Sequence, residues 1–389
     1  MSDTHSLAEA TAFLTVTEMA NDVALDAAVG MEALLKTIPV EPTTQNMALI
    51  DASVNSLMRP FGLEHTHSEV GIEGLGKNIL AAIWKTLLDV IVGAWNAIVR
   101  FVKEIIDGTS RLNNAAKKLQ KAAAGSKGVP VAEVLPVSNY DLLANNGVLV
   151  GLTREGVGRI YADTLLMPVM VAKITTASKS FSANYSRYSP DMTEVEQATL
   201  KLDIAKEAEQ YQKQMIEAAG GVELTADVRF KDRSKKYYGV VSENNPGSVM
   251  PVYAIGAGET LGTLVVPSPL PNPKPSSPTH PALTAAEIQS LCEPIQLSCG
   301  GILDSRKLQK DVEKTSKQMR KVGDVLVKNV GNTQNQTLAA DVRNAITKIN
   351  LCDSNIRRVM PALLKHYLST LKATYGFCVR SYKNLSVDT

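Results

Sequence analysis

Glu64, His65, His67 and Glu69 place two imidazoles and two carboxylates within six residues, a donor set that could ligate a divalent cation. They lie in a run without apolar periodicity, and a catalytic metal needs ligands held by a rigid surround, so solvated side chains are the expected reading. Gly256, Gly258 and Gly262 have the wrong third spacing for a dinucleotide loop, and Glu259 stands where a pyrophosphate would sit. No glycine loop is followed by Lys-Ser or Lys-Thr, so a phosphate cradle of the Walker kind is absent from the sequence. Cys292 and Cys299 have six residues between them, which fits no common zinc pair, and buried thiols are expected for them and for Cys352 and Cys378. His280 and His366 have no nucleophile or carboxylate in a recognisable pattern, and no Gly-X-Ser-X-Gly elbow occurs. The expectation is a protein with no catalytic residues, no bound metal and no cofactor; an enzyme without a recognisable motif is the remote alternative.

The chemistry the sequence does offer is that of a protease substrate. Gly30-Met31-Glu32, Gly62-Leu63-Glu64 and Gly71-Ile72-Glu73 each read small-X-Glu, and the third is followed by Gly74. That third site lies in a glycine-bearing stretch that reads as an exposed hinge, the kind of segment proteases cut. It also divides the charge. The 389 residues sum to +2, yet residues 1–73 hold eleven acids against two bases, a net −9, which leaves +11 for 74–389. Such asymmetry points to a processing step or a polyanionic partner.

The basic surplus is densest at the end of the chain, where residues 301–389 contain sixteen bases and seven acids. Arg306, Lys307, Lys310, Lys317, Arg320, Lys321, Arg357 and Arg358 are the candidate phosphate contacts, acting by sequence-independent neutralisation. Aromatic residues make up only 5% of the chain, which argues against base-stacking platforms.

Helices are the elements that must position these groups. Residues 6–36 and 45–57 have helical composition, and Ile79–Ile106 forms a third pattern in which Lys85, Asp89, Asn96, Arg100, Lys103 and Asp107 fall on a stripe about 60° wide. Nearly everything else around that helix is apolar, carried by Trp84, Leu87, Ile91, Trp95, Ile98 and Val102. A core helix or an oligomer seam suits so narrow a polar face; a membrane interface is the alternative. A basic helix follows at 111–121, and then an apolar helical region, Tyr140–Ala177, expected to bend at Pro168. The helix predicted at Asp191–Ala219 starts with a capping box, either Asp191 with Glu194 or Thr193 with Glu196, and ends at Gly220-Gly221. The period then switches to two at 223–230, and with Tyr237–Val241 and Val249–Ile255 this predicts a small antiparallel sheet within about 222–266. Seven prolines in 267–281 predict a stiff linker. Beyond it everything from Thr284 to Lys383 reads as helix, with a 4-3-4-3-4 seam at Leu308, Val312, Thr315, Met319, Val322 and Leu326, and with Pro361 interrupting or starting a last helix.

The expected fold is therefore mainly α: helical bundles with a small antiparallel β insertion and a Pro-rich linker before a C-terminal helical bundle. The division predicted is an acidic helical propeptide at 1–73, a helical domain at 74–266, the linker at 267–281 and a basic bundle at 282–389. No secretory signal is expected, because the first residues carry acids where a signal carries bases.

This layout resembles that of the internal head, or inner-body, proteins of phiKZ-like jumbo tailed bacteriophages. The resemblance rests on the acidic segment 1–73, the Gly71-Ile72-Glu73 site and the Trp84- and Trp95-bearing amphipathic helix that would open the mature chain. It implies a structural virion protein made in the host cytoplasm and located inside the capsid with packaged DNA and other capsid-interior proteins. It also implies maturation by the phage prohead protease, with cleavage after Glu73 and secondary candidates at Glu32 and Glu64. The competing expectation from the apolar helix is a membrane-active or pore-type effector.

Overall fold

The computed structural model describes residues 103, 105–144, 147–224, 232, 234–239, 251–266, 275–330 and 336–386. Its first helix, α1 (residues 105–124), buries Ile105, Leu112, Ala116, Leu119 and Ala123 on one face, the spacing of an amphipathic helix. The chain then crosses to its own end. Val129 N–H donates to Ser386 Oγ at 3.0 Å, and Ala132 and Asn384 exchange two hydrogen bonds of 3.1 and 2.8 Å. β1 (Val134–Pro136) follows, pairing antiparallel with β6 (Thr279–Pro281), so the last proline of the Pro-rich run, Pro281, is an edge-strand residue.

The predicted helix at 140–177 divides. A short α2 (Tyr140–Leu143) and a 3₁₀ turn (Val150–Leu152) precede α3 (Arg154–Ala183), in which Pro168 lies inside the helix. Helix α3 is long and apolar enough to cross a membrane. It is instead the helix around which the bundle assembles, packing against α4 (Glu194–Ala219), α5 (Ala285–Asp304), α6 (Arg306–Val330) and α7 (Gln336–Lys383). Its buried line runs through Val157, Ile160, Met167, Met170, Val171, Ile174 and Phe181, while Leu165, Leu166 and Val169 on the opposite face are more than half exposed.

Helix α4 starts as its sequence requires. Thr193 Oγ1 accepts from Glu196 N–H and the Glu196 carboxylate accepts from Thr193 N–H, which settles the capping box in favour of Thr193 and Glu196. At its other end Gly220 takes φ 115°, a left-handed conformation that glycine adopts without a Cβ penalty. The sheet is antiparallel in the order β2 (Glu223–Leu224), β3 (Lys235–Tyr238), β4 (Val252–Gly256), β5 (Thr263–Val265). Most of the alternating run at 223–230 lies outside the described residues, which include only Glu223 and Leu224 of it.

Asn355 of α7 locks this sheet to the bundle. Its Oδ1 accepts from Leu264 N–H at 2.9 Å, and its Nδ2 donates to Gly262 O and to the Tyr211 hydroxyl, each at 3.2 Å. The main hydrophobic core draws on both sides of the Pro-rich run, from Ile105 and Leu264 to Leu283, Phe377 and Leu385, and a smaller cluster of Tyr237, Val252 and Ala254 lies within the sheet. Helix α7 runs unbroken for 48 residues with Pro361 in its interior. The expected interruption does not occur, because Val359, Met360, Leu363 and Leu364 are all buried and packing holds the helix through the missing N–H.

Candidate nucleic-acid interface

Helix α6 meets α7 and α3 through Val312, Met319 and Leu326, with Leu308 and Val322 half-buried beside them, as the 4-3-4-3-4 seam predicts. Burying that seam fixes the helix's rotation. At about 100° per residue, Arg306, Lys307, Lys310, Lys314, Lys317, Lys321 and Lys328 then fall within an arc of about 100° centred opposite the buried face. All seven are exposed, and Asp324 is the one acid inside the arc. At 1.5 Å per residue the line from Lys310 to Lys328 is about 27 Å long. Duplex DNA of that length carries roughly 16 phosphates, one per 1.7 Å of axis. Lys317 is partly engaged already, in an exposed ion pair with Glu313 at 2.7 Å that water weakens.

The candidate phosphate contacts thus separate into two groups. Arg306, Lys307, Lys310, Lys317 and Lys321 share the exposed stripe. Lys314 and Lys328 belong with them and were missed by sequence reasoning, although their helical phase, four residues after Lys310 and seven after Lys321, is the signal that finds them.

Arg320 and Arg357 lie elsewhere. Arg357 is only 5% exposed, and its Nη2 pairs with Asp353 Oδ2 at 2.7 Å. This corrects its assignment as a phosphate contact, because a guanidinium enclosed between helices and held by a carboxylate cannot reach DNA. Arg320 is half-buried at the same junction, its Nη2 donating to Ser316 Oγ at 2.9 Å. Burial lowers its affinity for a proton, Asp353 opposes that shift and Arg357 adds to it, so one carboxylate serves two guanidinium groups. The backbone of Arg358 continues α7. Gly71, Ile72, Glu73, Gly74, Glu32 and Glu64 lie outside the described residues, as do Trp84, Leu87, Ile91, Trp95, Ile98 and Val102.

Among the described residues no cluster of three or more His, Cys, Asp or Glu could hold a metal ion. All four cysteines are free and buried. Burial pushes the Cys292 thiol up to about 11 and those of Cys299 and Cys352 up to about 12, the reverse of what a nucleophilic cysteine needs. His280 packs edge-on against Phe377, with its Nδ1 2.8 Å from Pro281 O, which is a structural placement. The arrangement can bind a polyanion along one exposed helix edge.

A family model described as phiKZ-like phage internal head proteins matches residues 3–379. Neither the search of curated proteins nor that of solved structures found a match.

Proposed function

Since the chain belongs to the phiKZ-like phage internal head proteins, and is therefore a structural component of the capsid interior associated with other interior components, we propose that it works there as a non-enzymatic, DNA-facing protein matured by removal of residues 1–73. The observation that carries this reading is the exposed basic edge of α6, set in a chain whose first 73 residues sum to −9. Removing a net −9 leaves a +11 product, which sequence-independent phosphate neutralisation would hold beside packaged DNA. The prohead protease is the agent proposed for the cut after Glu73.

Protein recovered from disrupted particles tests both parts. Its intact mass should correspond to a chain beginning at Gly74; the mass of all 389 residues would remove the propeptide. Its affinity for duplex DNA should be the same for unrelated sequences. If Lys310, Lys314, Lys317, Lys321 and Lys328 each neutralise one phosphate, the log–log dependence on salt should have a slope of about −4.5. Salt-insensitive binding, or none at low salt, would remove the DNA interface.

A further inference from the structure

We propose that the acidic segment 1–73 covers the basic edge of α6 before cleavage and competes there with DNA, so that the cut after Glu73 is what opens this surface to phosphate. The inference rests on the reading of that edge as the DNA-facing surface.

Two observations carry it. Within the described body the bases of this edge are all exposed, Asp324 is the one acid inside their arc, and the Lys317 to Glu313 pair is solvent-exposed. The chain's largest net negative charge sits in residues 1–73, eleven acids against two bases, while residues 74–389 sum to +11 although they too carry acids. A segment on the same chain acts at an effective concentration on the order of mM when its link can span the distance. Thirty-one residues separate Glu73 from Ile105, and with the helix that the sequence predicts from Ile79 onward such a link reaches about 55 Å.

Charge density then explains why cutting matters. DNA carries a charge every 1.7 Å and releases condensed counterions when neutralised. The segment carries eleven acids over 73 residues and has no comparable counterion atmosphere to release. Tethered, it holds the site by proximity; once freed and diluted, it loses to DNA. Processing would in this way time DNA contact without any change in the fold of the bundle.

The test uses the full chain with a recognition sequence for a site-specific protease inserted after Glu73. Binding to a duplex of about 30 base pairs is followed by fluorescence anisotropy from about 50 to 200 mM salt, before cutting and after cutting and removal of the segment. Affinity should rise about tenfold or more on cutting, with a steeper salt dependence. An uncut chain with the eleven acids changed to Asn or Gln should bind as the cut chain does.

If the cut chain binds with the expected salt slope and the uncut chain binds equally well, the masking is wrong and the DNA reading stands. If neither binds at low salt, both fall. If cutting has the same effect in a chain carrying Lys310→Gln, Lys314→Gln and Lys321→Gln, the segment covers some other surface and the inference is overturned.

Discussion

Arg357→Gln separates a buried structural arginine from a DNA-binding one. In the native chain the guanidinium is enclosed between α6 and α7 and pairs with Asp353 at 2.7 Å, with side-chain exposures of 6% and 1%. Removing one partner of a buried pair leaves the other charge uncompensated, at a cost of about 3–5 kcal/mol. For a folded body of this size each kcal/mol moves Tm by roughly 2–4 °C, so thermal unfolding followed by helical circular dichroism should show a loss of roughly 10 °C. Asp353→Asn should cost more, because it strands Arg320 as well as Arg357. Replacing Arg357 by Met and Asp353 by Leu together should cost less than the two single changes summed, since an apolar pair replaces the buried ion pair, and the cost that remains is that of Arg320 without Asp353. DNA binding should move the other way: Arg357→Gln leaves the salt slope unchanged at temperatures where the variant is folded. Lys321→Gln reduces that slope by about 0.9 with stability within about 0.5 kcal/mol of the parent. An Arg357→Gln protein with a parental Tm and a slope reduced by about 0.9 would refute the placement of this side chain.

Asn355→Ala removes three hydrogen bonds and leaves Leu264 N–H and Gly262 O buried without that partner, so unfolding in urea should show a loss of about 3 kcal/mol. Gly301 and Gly300 form a matched pair on α5. A Cβ at Gly301 would overlap the Thr164 side chain on α3, so Gly301→Ala should destabilise by about 1–3 kcal/mol, whereas Gly300 faces open space and its change to Ala should stabilise by up to about 1 kcal/mol. A thiol reagent at pH 8 should find none of the four cysteines in native protein and all four after denaturation. Their raised folded values also set a pH dependence. Unfolded thiols ionise near the ordinary value of 9, folded ones only at about 11 to 12 for Cys292, Cys299 and Cys352. Their contribution is therefore complete below pH 9 and is lost as pH rises through 11 to 12, and flat stability across that range would contradict their burial.

Properties that are local and additive were legible in the sequence. The −9 and +11 division is a sum along the chain, and no fold can alter it. The α6 seam depends on spacing within one helix, so the period alone located it, and spacing narrowed the α4 capping box to two pairs of which the structure forms Thr193 with Glu196. The same phase carries the exposed basic edge, for a helix with one buried face shows the opposite face to water, yet Lys314 and Lys328 were not drawn from it.

Phase fails where a helix has no solvent face. Residues 352–357 of α7 are buried without interruption, because α3, α5, α6 and β5 all pack on that helix, and a basic residue there carries no periodic mark that separates it from a surface one. Tertiary packing alone decided that Arg357 answers to Asp353 rather than to a phosphate. It likewise decided that Pro361 stays inside a continuous helix and that residues on both sides of the prolines at 267–281 share one core. Each of these outcomes is set by neighbours distant in sequence, whose burial free energy outweighs the local preference of the residue itself.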